Sequence, residues 1–499
     1  MKKILTIILD GFGISDSDNG NAIKDASLKN FEDFFNGYPH ALLEASGPAV
    51  GLQEGEFGNS EVGHTLIGAG RYLKQNAELV TDFLEEEYKE NESFNKIIEN
   101  KEKTFHLVGL CSDGRVHADV NHFLKLYDIL VETGVTKINF HLITDGRDTA
   151  PTDAIRFIEL VQEKINEKNI GKIATVCGRY YAMDRDDNVE RTKSYYNLLV
   201  NGIGVGETNL VHGIKTNYAK GITDEFIKPI ITDINATIKD GDIVFWMNYR
   251  NDRAKQIVGA LSNNKYDLFP TKTFENLQVC SFMPVDKKCK NIYFFVKKEI
   301  KNPLGLYFAD LNLTQARIAE SEKYAHVTYF FDGGYEGKVE GCTKHEVSSP
   351  NVSTYDMLPE MSSVSVTKKV VKAMEDDVDF ILVNYANPDM VGHTGNIDAT
   401  IKGCMAVDIC LGKLLEIADD HFYKVILLSD HGNADKMLED DGTVCKTHSM
   451  SKVPFIIRDN NIELESEGTI INVAPTILDY MDIALPQEMQ ETESLLINK

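Results

Sequence analysis

The chain has 499 residues, 42% of them hydrophobic, and carries 52 Lys plus Arg against 77 Asp plus Glu, a formal net charge of −25. That length predicts two or three domains with ordinary cores, and the acidic balance excludes non-specific binding to nucleic-acid phosphate or an anionic membrane. The eight cysteines include no CxxC pair and sit in or beside apolar runs, the usage of a reduced, cytoplasmic protein.

KKILTIILDG opens the chain as an apolar strand ending on Asp10. Its apolar part is only about six residues long, too short for a signal peptide, and no later run approaches the ~20 residues of a membrane span. Next comes EGEFGNSEVGHTLIGAGR, a glycine-dense loop that carries Ser60 to the start of a helix, where it could cap that helix or serve as a nucleophile.

In the middle, strand-like runs fall at 105–111, 138–144, 172–177, 242–247 and 277–282. SDGRVH, DGRDTAP, GRYYAMDRD and NYRNDRAKQ follow four of them, so Arg115, Arg147, Arg179, Arg185, Arg250 and Arg253 are expected at one strand-end rim. Guanidinium forks grip phosphate or carboxylate bidentately, and several at one rim imply a polyanionic small substrate. The acidic runs at 85–91 and 375–377 read as solvated helix faces.

Two further apolar runs near the end of the chain deliver metal-type ligands: DFILVNYANPDMVGH gives Asp389 and His393, and KVILLSDH gives Asp430 and His431. Ligands of open α/β sheets collect outside the carboxyl ends of strands, so these residues are expected to share one crevice with Asp10. The four-residue spacing of Asp389 and His393 suits one helical face, and His448 in KTHSMSKVPF is a third partner for them. Mixed carboxylate and imidazole ligands suit Mn²⁺ or Zn²⁺ better than Ca²⁺. Counting Ser60, the seven ligands exceed one tetrahedral site, and two ions ~3.5–4 Å apart would use them all. His64, His122, His141 and His421 read as hydrogen-bonded core or turn residues. Because the ligand-bearing strands lie at the extremes of the chain, the arginine-rich part reads as an insertion, with crossings near 73–77 and 297–302.

The blocks LDGFG, GNSEVGH, SDGRVH, DGRDTAP, GRYYAMDRD, NYRNDRAKQ, ESEKYAHVTYFFDGG, NPDMVGHTG, SDHGNAD and THSMSKVPF together resemble the cofactor-independent phosphoglycerate mutases of the alkaline phosphatase superfamily, over almost the whole chain. The resemblance implies an α/β protein of two domains: an alkaline-phosphatase-like metal-binding domain over 1–74 and 300–499, and an inserted α/β substrate domain over 75–299. It implies that Ser60 accepts a phosphoryl group, that Asp10, Ser60, Asp430 and His431 bind one divalent ion, and that Asp389, His393 and His448 bind another, with Mn²⁺ favoured. His117, Arg147, Asp148, Arg179, Arg185, Arg250, Arg253 and Lys323 would contact phosphoglycerate, with Asp148 and His117 moving protons. A metal-dependent phosphatase or sugar-phosphate mutase of the same superfamily is the alternative. With no coiled-coil pattern, a monomer is expected. Arg115 stands where the family has a smaller residue, and segment 283–291 has no assigned role.

Overall fold

The structure is a computed structural model that describes residues 2–52, 54–263 and 265–497. It divides into two compact units, Met1–Leu73 with Glu299–Lys499, and Lys74–Lys298. In chain order the strands are β1 (Lys3–Leu9), β2 (His40–Glu44), β3 (Phe105–Leu110), β4 (Ile138–Thr144), β5 (Lys172–Gly178), β6 (Val205–Gly206), β7 (Ile230–Ile231), β8 (Ile243–Trp246), β9 (Gln278–Ser281), β10 (Ile292–Tyr293), β11 (Gln315–Glu320), β12 (Cys342–Val347), β13 (Phe380–Tyr385), β14 (Tyr423–Leu428), β15 (Val453–Ile457) and β16 (Glu467–Thr469).

The first unit holds an eight-stranded sheet in the order β12-β11-β13-β1-β14-β15-β2-β16. Its central strands run parallel, and β15 alone is antiparallel to both neighbours. Helices cover both faces, which is why these strands are apolar without alternation. Ile4 and Ile8 of β1 pack into one core with Leu382, Ile426 and Phe455. Leu5, Ile7 and Leu9 point the other way, against Val366, Val370 and Leu411. Each such side chain contributes about 1.5–3 kcal/mol on burial, so a polar residue inside these strands demands a separate explanation.

The second unit repeats the plan in an eight-stranded sheet ordered β10-β9-β8-β3-β4-β5-β7-β6, parallel from β10 to β5 and reversed at β7. The middle runs read from sequence coincide with β3, β4, β5, β8 and β9 to within a residue or two. His122 is buried with Nε2 2.9 Å from Thr81 Oγ1, and His141 is buried with Nε2 2.8 Å from His106 Nδ1. His421 closes the helix Ile397–Asp420. All eight cysteines are unpaired. Among the described residues no helix is long and apolar enough to cross a membrane.

Candidate active site

In the first unit, four adjacent parallel strands, β11, β13, β1 and β14, end on one edge of the sheet, and each leads directly into a polar residue. Asp10 follows β1, Lys323 lies in the short helix Ser321–Ala325 after β11, Asp389 in the helix Asn387–Gly392 after β13, and Asp430 and His431 follow β14. His448 precedes β15, whose reversed direction starts it at that same edge. The Lys323 helix widens into a π-helical turn, His326–Phe330, an irregularity frequent at functional sites.

Ser60 is the first residue of the helix Ser60–Ala69, and the capping role falls to Asn59, whose Oδ1 accepts the Val62 amide at 3.0 Å. The Ser60 hydroxyl is therefore free of the helix end. It donates to Asp10 Oδ1 at 3.1 Å, accepts from Lys323 Nζ at 2.6 Å and lies 2.9 Å from His431 Nε2. Lys323 also donates to Asp10 Oδ1 at 2.7 Å and Asp389 Oδ2 at 2.6 Å. The glycines around Ser60 serve packing: a Cβ on Gly63 would lie 2.9 Å from the Asp430 Cβ, and one on Gly58 would lie 2.1 Å from the Ala45 carbonyl oxygen.

The second cluster is more open. His393 Nε2 and His448 Nε2 lie 3.2 and 3.3 Å from Asp389 Oδ1 and 3.1 Å from each other. Carbonyls orient both rings through Nδ1, from Lys446 for His393 and Gly58 for His448. His393 is 40% exposed, whereas Asp10, Asp430 and His431 are fully buried.

Charge pairing sets the protonation of this cluster. Burial pushes the Asp10 carboxyl up, but Lys323 and the His431 hydrogen bond hold it well below the usual carboxylate range. Burial likewise opposes the charged forms of Lys323 and His431; Asp10, Asp389 and Asp430 nevertheless raise Lys323, and Asp430, Asp10 and Asp389 raise His431 to about 9. One cationic amine thus serves several buried carboxylates.

The donor set fits divalent cations on a direct observation. Among the described residues, neither Asp430 oxygen, both buried, has a hydrogen-bond partner; His64 Nδ1 lies 3.1 Å from Oδ2 but is directed to the Ser60 carbonyl oxygen at 3.0 Å. A buried carboxylate without donors calls for a cation. Among the described residues, ligand atoms of Asp389, His431 and His448 lie within 4.8 Å of one another, as do those of Asp10, His64 and Asp430. His431 Nε2 is also 3.4 Å from Asp10 Oδ1, so it stands between the two groups.

In the second unit, the residues after β4, β5 and β8 form a cationic rim, and His117 follows β3, the strand between β8 and β4. Arg179, buried, donates to Asp145 Oδ1 at 2.6 Å and to Asp148. Arg185 and Arg250 face Asp252 at 3.2 and 3.4 Å, Arg253 donates to the Met183 carbonyl at 3.1 Å, and Arg147 lies 3.7 Å from Glu225. Burial, then the charges of Arg185, Arg179 and Arg147, lower the Arg253 pKa, which is the electrostatic mark of their crowding. Burial, with Arg179, Arg250 and Arg253, pushes His117 down to about 3. Arg115 departs from the expected rim: it adopts φ +52°, pairs with Asp119 at 3.1 Å and lines a hollow with Thr81, Glu85, His122 and Lys125. Segment 283–291 supports the rim, because the Pro284 carbonyl accepts from Asn251 Nδ2 at 2.6 Å.

Sequence reasoning passed over several residues in these clusters. Asn384 donates to Asp10 Oδ2 at 2.7 Å and Asn433 to Asp389 Oδ1 at 2.7 Å. Asp145 and Asp252 partner the arginines. Asn433 and Asp252 stood inside the motifs SDHGNAD and NYRNDRAKQ, whereas Asn384 was hidden in an apolar run.

A fold of this kind, with carboxylates and imidazoles at the strand ends, defines a class, and the chain matches the model of the Metalloenzyme superfamily over residues 2–485. Over 98% of both chains it is 42% identical to the 2,3-bisphosphoglycerate-independent phosphoglycerate mutase of Bacteroides thetaiotaomicron, and 41% identical to that of Clostridium acetobutylicum. A phosphoglycerate mutase structure from Leishmania mexicana, determined at low cobalt concentration, superposes with a TM-score of 0.71 at 27% identity, covering 100% of this chain and 98% of that one. The chain belongs to the 2,3-bisphosphoglycerate-independent phosphoglycerate mutase family.

Proposed function

We propose that this protein interconverts 3-phosphoglycerate and 2-phosphoglycerate in glycolysis and gluconeogenesis, through a phosphoserine at Ser60 and without a bisphosphoglycerate primer. The observation that carries the reading is the Ser60 hydroxyl, free of helix capping and held between Lys323, Asp10 and His431. In the forward half-reaction Ser60 Oγ bonds to phosphorus, the ester bond to the C3 oxygen of glycerate breaks, and Lys323 offsets charge on the phosphoryl oxygens. The hydroxyl proton already points at Asp10. Glycerate then presents its C2 oxygen to the phosphoserine and the bond changes run in reverse.

Asp10, Ser60, Asp430 and His431 would hold one divalent cation, and Asp389, His393 and His448 a second. Bound there, the cations supply Lewis-acid charge that lowers the Ser60 hydroxyl pKa. We assign Mn²⁺ from the mixed oxygen and nitrogen donors together with the family resemblance.

The arginine-bearing unit is the substrate domain in this reading, with Arg147, Arg179, Arg185, Arg250 and Arg253 gripping carboxylate and phosphate. His117 enters neutral, because its pKa is pushed to about 3, and with Asp148 it exchanges protons with the glycerate hydroxyls. We assign the working form as a cytoplasmic monomer.

Metal-loaded protein given 3-phosphoglycerate and no bisphosphoglycerate tests the reading, with 2-phosphoglycerate and free phosphate followed together. Formation of 2-phosphoglycerate with little free phosphate, abolished by Ser60→Ala, is the expected result. Mainly free phosphate would favour the phosphatase alternative.

A further inference from the structure

Behind the Ser60 cluster lies a line of buried polar groups to which the mechanism above gives no role. Asn384 is fully buried on β13, paired in register with Ile8 of β1. Its Nδ2 donates to Asp10 Oδ2 at 2.7 Å and lies 3.1 Å from His64 Nε2. His64, also fully buried, has its Nδ1 3.0 Å from the Ser60 carbonyl oxygen and 3.1 Å from Asp430 Oδ2.

The directions of these contacts follow from chemistry. Turning the Asn384 amide over would set its oxygen against the Asp10 carboxylate, so the amine end must face Asp10, and Oδ1 is left buried without a partner. One amide hydrogen goes to Asp10 and the other to His64 Nε2, which must then present a lone pair. The imidazole proton is therefore on Nδ1 and is directed to the Ser60 carbonyl oxygen, with Asp430 Oδ2 alongside at 3.1 Å. A neutral ring in a single tautomer results.

We propose that Asn384 and His64 form a positioning brace, Asp10–Asn384–His64–Ser60, that presets the Asp10 carboxylate and the Ser60 turn, with the His64 ring packed against Asp430, as ligands of one cation; this rests on the metal reading above. The brace reaches neither Asp389, His393 nor His448, so its effect is confined to one of the two ions. Partners of this kind behind metal ligands typically alter affinity by about 10–100-fold.

Calorimetric titration of metal-free protein with Mn²⁺ tests this. Wild type is expected to show two binding events. Asn384→Leu, near-isosteric, and His64→Leu should each weaken one event by about 10–100-fold and leave the other unchanged. His64→Asn, whose amide can replace the Nδ1–H donor, should bind close to wild type, whereas His64→Gln should not. Equal weakening of both events, or no change in either, would overturn the brace. Should the leucine variants fail to fold, the Asn and Gln variants carry the test, and equal binding by the two would refute it. Fewer than two events in wild type would overturn the metal reading itself.

Discussion

Lys323 and Ser60, 263 residues apart in sequence, meet at 2.6 Å, with Lys323 Nζ donating to Ser60 Oγ while also contacting Asp10 and Asp389. A single buried ammonium group thus serves as counter-charge for two carboxylates and as donor to the candidate nucleophile.

Lys323→Met should lower kcat by about 10²–10³-fold, the range for loss of one preorganised donor to developing charge. It also strands buried carboxylates, which typically costs about 3–5 kcal/mol. The melting temperature should fall most in chelator and recover in Mn²⁺. An equal fall in both conditions would show that Lys323 is not the counter-charge.

Removing Arg253, whose neighbours are mainly other cations, should disturb substrate and not fold. Arg253→Ala is expected to raise KM for phosphoglycerate about 10–100-fold, in line with about 1.5–3 kcal/mol for a hydrogen bond to a charged group. Melting and Mn²⁺ titration should stay as in wild type. Steady-state kinetics with an unchanged KM would remove this arginine from the substrate site.

Gly63→Ala places a methyl 2.9 Å from Asp430 Cβ. Over-packing of that kind costs about 1–3 kcal/mol, so the variant should melt lower and bind Mn²⁺ more weakly. Wild-type values for both would mean that the helix yields without moving the carboxylate.

The second unit should be acid-sensitive through a buried chain in which Asp242 Oδ2 contacts His106 at 3.0 Å, His106 contacts His141 at 2.8 Å, and His141 contacts Thr175 at 2.9 Å. Burial lowers the His106 pKa, with Asp242 partly opposing, and burial plus the His106 charge lowers that of His141. Both rings are therefore neutral in the fold, whereas the unfolded chain takes up protons below about pH 6.5. Stability is full above that pH and falls as pH drops from it towards the folded values. Trp246, the one tryptophan, is buried in this unit, so its fluorescence gives the urea midpoint at each pH. His141→Asn should flatten the profile, and a profile equally steep in the variant would exclude this pair as its cause.

Much of the architecture was legible because parallel strands covered on both faces must be apolar throughout. Runs such as KKILTIIL and KVILL stand out, and the carboxylates that follow them, Asp10 and Asp430, fall at the strand ends where an α/β sheet gathers its ligands. The arginines after β4, β5 and β8 were legible for the same reason. Arg115 was not: it resembles the others in sequence, but a left-handed backbone and Asp119 take it away from them.

By itself the sequence determined the strand-end carboxylates and imidazoles, the arginine-rich segments and the family, since each depends on local pattern and residue type. Tertiary structure alone decided which side chains share a partner. Asn384 looks like a polar interruption of a strand until Asp10 and His64, 374 and 320 residues away in the chain, come within hydrogen-bond reach of its amide. His64 read correctly as a buried, hydrogen-bonded histidine, but its neighbour Asp430 could not be read. Hydrogen bonds act over about 3 Å, and that proximity is created only when distant strands are laid side by side.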